Sequence, residues 1–268
     1  MCDCQPKLPV SRRELLLGAA IAAPALMVAG SLLDRRGNTA SALAPAVPAV
    51  EVMPGLRIYP RDAWGAALPA KGPILPEMPQ FLLVHHTAST NSYANPIDVI
   101  RTTYFWHTSN DPSKGWPDVA YEFFVGRDGD VWEGRTGAMA GPVRASATGG
   151  SQGFAQLVCM LGDFTTTVPT AAALASLVKV LALLADRSQI DTSPGATTSF
   201  VSRGSQRWPA GTRVTTRTIA GHREMSYTSC PGDALFPHIS ELPAKVQAQR
   251  AAWSDVLKPA VRLGHVTP

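Results

Sequence analysis

Charge is scarce in this chain. Charged residues make up 16% of its 268 positions, and the formal net charge is +4. Five basic and three acidic residues lie in positions 1–44, which leaves +2 for the rest. That is too little for the basic face that nucleic-acid binding requires; a polyanionic matrix is compatible with it but not implied. Cysteine is also rare, with four in all, two of them at Cys2 and Cys4. A dense disulfide framework is therefore excluded. No internal repeat occurs, which argues against a solenoid, and none of the short metal-binding motifs matches. Apolar residues make up 45%, enough for a buried core, so disorder is not the default.

The first 44 residues read as an export leader. Ser11-Arg12-Arg13-Glu14 precedes an apolar run from Leu15 to Leu33, and Ala42-Leu43-Ala44 offers the small residues a signal peptidase reads. The paired arginines resemble a twin-arginine signal, which exports an already folded protein. The run is 19 residues long, so a transmembrane anchor is the alternative. Pro24, the modest hydrophobicity and the Ala-x-Ala favour cleavage and no lasting membrane insertion. Cleavage removes Cys2 and Cys4 and leaves Cys159 and Cys230. Cys159 lies in the apolar run Gln156–Leu161 and reads as packing. Cys230 precedes Pro231-Gly232 in a polar loop that suits a ligand. A disulfide between them is the alternative outside the cytoplasm.

Residues 45–56 read as a linker, 57–245 as one folded domain, and 246–268 as a helix end and tail. Phe81–Val84 is a candidate central strand that delivers His85. Asn95-Pro96 starts a helix ending near His107. Asp128-Gly129 marks a hairpin between Tyr121–Val125 and Asp130–Glu133. Leu157–Leu161 reads as a buried strand, and Thr170 caps a helix with an apolar stripe through Leu174, Leu177, Val178, Leu181 and Leu184. Residues 191–218 read as a long surface excursion, and a last helix covers about 239–253. The irregular alternation predicts a single α/β domain with a central mixed sheet flanked by helices.

Three segments carry the chemistry. They are Val84-His85-His86-Thr87, Gly115-Trp116-Pro117-Asp118-Val119-Ala120-Tyr121, and Gly221-His222-Arg223 through Ser229-Cys230-Pro231-Gly232. Two imidazoles and a thiolate can fill three positions of a tetrahedral zinc ion and leave the fourth for water, the catalytic arrangement. A closed structural zinc site needs a fourth protein ligand, and none stands out.

Those segments, in that order, with Asp128-Gly129, Glu133-Gly134-Arg135 and Leu161-Gly162-Asp163-Phe164 between them, resemble the zinc N-acetylmuramoyl-L-alanine amidases of the peptidoglycan recognition protein superfamily. Arg61-Asp62-Ala63-Trp64-Gly65-Ala66 resembles that family's usual opening, and the likeness covers roughly residues 57–245. The resemblance implies a mixed sheet with a zinc site in a surface groove, one Zn2+ per chain, and hydrolysis of the amide between N-acetylmuramic acid and L-alanine of peptidoglycan. It implies His85, His222 and Cys230 as metal ligands, with Tyr121 and Thr228 beside the catalytic water. His107 matches a groove-lining position, with a solvated helix-end imidazole as the alternative. Gly115 and Trp116 resemble a pair found in members that prefer diaminopimelate-type stems, and Arg135 the arginine that grips the extra carboxylate. His86 points to the opposite face of its strand. Asp118 and Glu122 flank Tyr121, but no carboxylate occupies an obvious general-base position. Two departures stand out: no cysteine occurs in Ser89–Asn95, and Met139 stands where the family often has histidine.

Three other functions compete: a peptidoglycan-binding module without activity, a cysteine peptidase using Cys230 as nucleophile, and a zinc-stabilised structural domain. The expected partner is peptidoglycan or its muropeptides, met by a monomer outside the cytoplasm. The mature protein is expected to begin at Pro45; N-terminal sequencing of secreted protein tests this, and a start near Met1 overturns it.

Overall fold

The computed structural model describes residues 45–262, apart from 46, 112, 152 and 153. The expected leader and the last residues of the tail lie outside the described residues. In chain order the elements are β1 (Val50–Met53), β2 (Leu56–Ile58), α1 (Asp62–Gly65), β3 (Phe81–His86), α2 (Pro96–His107), β4 (Phe123–Val125), β5 (Val131–Glu133), β6 (Ala155–Met160), α3 (Ala171–Ser188), β7 (Thr197–Val201), β8 (Arg213–Arg217), β9 (Ile219–Gly221) and α4 (Leu242–Arg262).

The central sheet is mixed, as expected, with strand order β5-β4-β6-β3-β9. β4, β6, β3 and β9 run parallel, and β5 closes one edge as the antiparallel half of a hairpin. Every residue of β3 and β6 is buried, because helices cover both faces of a parallel sheet. Alternation along β3 sorts its side chains. Leu82 and Val84 face a core shared with α3 and α4, where Leu177, Leu181 and Val246 pack. Phe81 and Leu83 face a core shared with α1 and α2, where Trp64, Ile100 and Tyr104 pack. His85 follows the second set and His86 the first.

Local signals explain the ends of the elements. Asn95 caps α2 by accepting from Ile97 N at 3.0 Å, with Pro96 at the first helical position. Thr170 caps α3 by accepting from Ala173 N at 3.1 Å. Gly129 turns the β4–β5 hairpin at φ +86°, a conformation that favours glycine.

Three expectations are corrected. Val50–Met53, read as linker, pairs antiparallel with Leu56–Ile58. The segment 191–218 is no irregular excursion, since β7 and β8 form an antiparallel hairpin. Phe200 from this hairpin is buried and stacks on Phe81 and Phe154, with ring centroids 5.5 Å apart in each case. The last helix runs to Arg262, well past the expected end. Among the described residues, no helix is long and apolar enough to cross a membrane.

Two carboxyl groups are enclosed behind the start of β4. Glu122 accepts from Leu157 N through Oε2 at 2.6 Å, Glu77 accepts from Ala145 N through Oε2 at 3.2 Å, and the second oxygen of each has no hydrogen-bond partner. Burial pushes Glu122 up to about 8 against the pull of Arg135. Burial, then the neighbouring Glu122, pushes Glu77 up as well. The native state therefore holds a proton on Glu122 that the unfolded chain releases above its ordinary value of 4.5, so stability falls as pH rises from there to about 8. Urea unfolding should show Glu122→Gln gaining on the parent by up to roughly 4 kcal/mol between pH about 5 and about 8.5. Parallel pH profiles would refute this.

Candidate metal centre

The parallel pairing of β3 with β9 sets the site. Val84 lies opposite Gly221, so His85 and His222 leave the two strands side by side, with ring centroids 4.2 Å apart. His222 opens a short 3-10 turn, His222–Glu224. Glu224 holds that turn by accepting from Gly221 N at 2.6 Å and pairing with Arg217 at 2.6 Å. Arg223 N donates to Cys230 O at 2.9 Å, and the Arg223 guanidinium pairs with Asp233 at 2.7 Å. These bonds fold the 222–230 loop back so that Cys230 faces the two imidazoles.

The ligand atoms of His85, His222 and Cys230 lie within 4.8 Å of one another, and all three residues are buried. Cys230 Sγ is 3.7 Å from His85 Nδ1. Metal–nitrogen and metal–sulfur bonds of about 2.0 and 2.3 Å at tetrahedral angles place N and S roughly 3.5 Å apart, so the pair is spaced to share one ion. Burial, then the neighbouring His222, His86 and His107, holds His85 well below the usual histidine value. The ring is neutral and offers a lone pair, as a ligand must. His86 N donates to Cys230 Sγ at 3.4 Å, a contact that supports a thiolate ligand. His86 itself lies on the far face, where Nδ1 accepts from Phe164 N at 3.2 Å.

Tyr121 stands beside this group. Its ring centroid is 5.0 Å from that of His85 and 5.3 Å from that of His107. Tyr121 and His107 both line a cleft of about 530 Å3 between α2 and the loop after β3. The solvated alternative for His107 is overturned. The residue is 1% exposed, and Nδ1 accepts from Ala120 N at 3.0 Å. Burial, helped by Lys114 and Arg135, holds the ring neutral, so its proton sits on Nε2. Trp116 packs 4.8 Å from the His107 ring, and Gly115 precedes it at φ +69°. Thr228 is half-buried, and its Oγ1 accepts from Cys230 N at 3.2 Å, stapling the ligand loop.

Arg135, expected to grip a substrate carboxylate, is tied into the body of the protein. Its side chain is enclosed and donates to Val119 O, Arg144 O and Ser146 Oγ. It braces the chain around Tyr121. Asp118 and Glu122, which flank Tyr121 in sequence, are also spent on structure. Asp118 is fully buried, pairs with Arg61 at 3.0 Å and accepts from Val119 N, Thr136 N and Thr136 Oγ1. Arg61 was legible only as part of an opening motif. It also donates to Gly134 O and Leu68 O, while Trp64 Nε1 donates to Glu133 O. The opening motif therefore clamps the segment that carries Tyr121.

The N-acetylmuramoyl-L-alanine amidase family profile matches residues 75–233. The human N-acetylmuramoyl-L-alanine amidase is 34% identical over 193 residues, which cover 69% of this chain and 28% of that protein. The chain thus spans under a third of that relative's length. The crystal structure of the Drosophila peptidoglycan recognition protein SD superposes with a TM-score of 0.52 at 21% identity, over 69% of this chain and 94% of the other. A human peptidoglycan recognition protein, crystallised with a glycosamyl muramyl pentapeptide, superposes with a TM-score of 0.51 at 23% identity, over 68% and 94%. These superpositions establish a shared fold. With a profile match across more than half of its length, the chain belongs to the N-acetylmuramoyl-L-alanine amidase family.

Proposed function

We propose that the protein is a zinc-dependent amidase that cuts the bond between N-acetylmuramic acid and L-alanine in peptidoglycan. The observation that carries this reading is the buried group His85, His222 and Cys230, which offers three donors rather than the four of a closed structural site. A nitrogen–sulfur donor set with 3.7 Å spacing fits zinc. The family membership and the relative crystallised with a muramyl pentapeptide support peptidoglycan as substrate. In this reading the protein works outside the cytoplasm as a monomer, with one zinc per chain.

Zinc, when bound, supplies an acidified water and polarises the scissile carbonyl. The chain does the rest. Cys230 lowers the positive charge of the site, so hydrogen bonding around it has to compensate. Tyr121 donates a hydrogen bond from its phenol to the oxyanion that develops on the substrate carbonyl. Thr228 keeps the Cys230 loop closed through its bond to the ligand's own backbone. His107, protonated on Nε2, offers a donor that holds the substrate's polar groups against the cleft wall. Cys230 itself is a poor candidate for a peptidase nucleophile, because its sulfur is enclosed and accepts from His86 N.

Residues 45–268 incubated with purified muropeptides should release free stem peptide beginning with L-alanine, by mass spectrometry, only with zinc present. Cys230→Ser should lose both this activity and the single bound zinc measured by equilibrium dialysis. Intact muropeptides despite stoichiometric zinc would establish recognition without cleavage. Tyr121→Phe should keep its zinc and its KM while kcat falls by about 100-fold, the loss typical of one oxyanion donor. An unchanged kcat would remove Tyr121 from the reaction.

A further inference from the structure

The chain up to Tyr121 hangs from one buried assembly. Arg135 Nε donates to Val119 O at 2.9 Å, Ser146 N donates to Ala120 O at 3.3 Å, and Arg135 N donates to Tyr121 O at 2.8 Å. Three successive carbonyls are thus held together. The other two guanidinium nitrogens of Arg135 donate to Arg144 O and Ser146 Oγ. The residue between those two acceptors is Ala145, and its N–H is the one that Glu77 accepts at 3.2 Å. Glu77 therefore fixes the seat in which Arg135 rests. Glu122, next to Tyr121 in the chain, is held in turn by Leu157 N at 2.6 Å.

The charges do not balance if both carboxyl groups are ionised. Arg135, Glu77 and Glu122 are all buried. Beside Arg135, Arg61 and Asp118 pair with each other at 3.0 Å and cancel. Arg144 is half-buried and acts on Glu77 only weakly. One guanidinium thus stands against two carboxyl groups, each with an Oε1 that has no hydrogen-bond partner. Two like charges in such an enclosure are costly, so one carboxyl answers Arg135 and the other keeps its proton.

Resting on the amidase reading, we propose that Glu77 and Glu122 are positioning residues for Tyr121: between them they hold one proton and one negative charge, and loss of that proton slackens the 144–146 seat and lets Tyr121 shift from its place beside the candidate metal centre. Both act through Arg135. A second negative charge in the enclosure is relieved by admitting water. Water that reaches Glu77 competes with Ala145 N, and Arg135 then loses the fixed acceptors through which it holds Val119 and Tyr121. Burial raises Glu122 to about 8, which puts the change on the alkaline side of neutrality.

The alkaline limb of the pH profile tests this. With the zinc-loaded protein and muropeptides, kcat should fall about tenfold per pH unit above the titration of the pair, as loss of one essential proton requires, while KM stays constant. Glu122→Gln and Glu77→Gln each leave one carboxylate against Arg135 and keep an oxygen to accept the backbone N–H. Each should move the limb up by about one pH unit or more. The double variant leaves Arg135 without a counter-charge and should lower kcat about tenfold or more at every pH, the scale of loss for a misplaced group. If the double variant does not fold, the single variants carry the test. Glu241→Gln, which removes an exposed acid elsewhere, should change nothing. A second readout needs no turnover. With 13C-labelled tyrosine the protein gives one signal for each of its five tyrosines, and the signal missing from Tyr121→Phe is that of Tyr121. Its alkaline shift in the parent should disappear in Glu122→Gln. A limb shared by the parent and both single variants, or a Tyr121 signal that moves alike in the parent and Glu122→Gln, would overturn the assignment while hydrolysis stands. A Tyr121 signal that follows the pair in a protein that leaves muropeptides intact would keep the coupling and end the amidase reading.

Discussion

The register between β3 and β9 is the constraint on which the site depends. Val84 opposite Gly221 puts two histidines next to each other at the ends of parallel strands. Side chains alternate between faces along a strand, so a slip of one residue would send one imidazole into the opposite core. Burial of both faces of β3 holds the register, because every misaligned pairing would expose Phe81 or Leu83 or drive a polar group into their place. The hydrophobic layers and the candidate metal centre are thus fixed by the same pairing. His222 follows directly on the end of β9, while Cys230 comes from farther along the chain and is held by the backbone of its own loop.

A second layer of support surrounds Tyr121. Arg135 N donates to Tyr121 O at 2.8 Å. Gly134 lies so close that a Cβ there would fall 2.3 Å from Tyr121 O, an approach open only to glycine. Arg61 and Asp118 close the arrangement from the other side. Burying these charges is costly unless each finds partners, and the backbone carbonyls and amides of this segment supply them. The residues nearest Tyr121 in sequence therefore serve as its frame, which is why the neighbouring carboxylates are taken up in the structure.

What could be read from the sequence follows from the range of the forces involved. The capped start of α2, the Asp128-Gly129 turn and the end of β3 depend on neighbouring residues, and all are legible. The clustering of His85, His222 and Cys230 was legible because those residues belong to local motifs. The fate of Arg135 was not, since its enclosure depends on Arg144 and Ser146 folding over it and on Glu77 arriving from elsewhere in the chain. The β7–β8 hairpin was hidden for a related reason. Its strands are rich in threonine and serine, and Phe200 and Val214 are its main apolar anchors, too few to set a clear alternation. β1 was masked by its Pro- and Ala-rich surroundings, and its pairing with β2 is what orders it.

The hairpin has a narrow neck. Thr218 N donates to Ala196 O at 3.0 Å, so the chain leaves the body and returns at almost the same point, with β9 beginning immediately afterwards. Such a cassette can be shortened, lengthened or rewritten at its tip while the ladder beneath it stays in step. The fold thereby separates two regions: the candidate metal centre is tied to the strand order of the central sheet, while the hairpin is a sheet of its own laid against it.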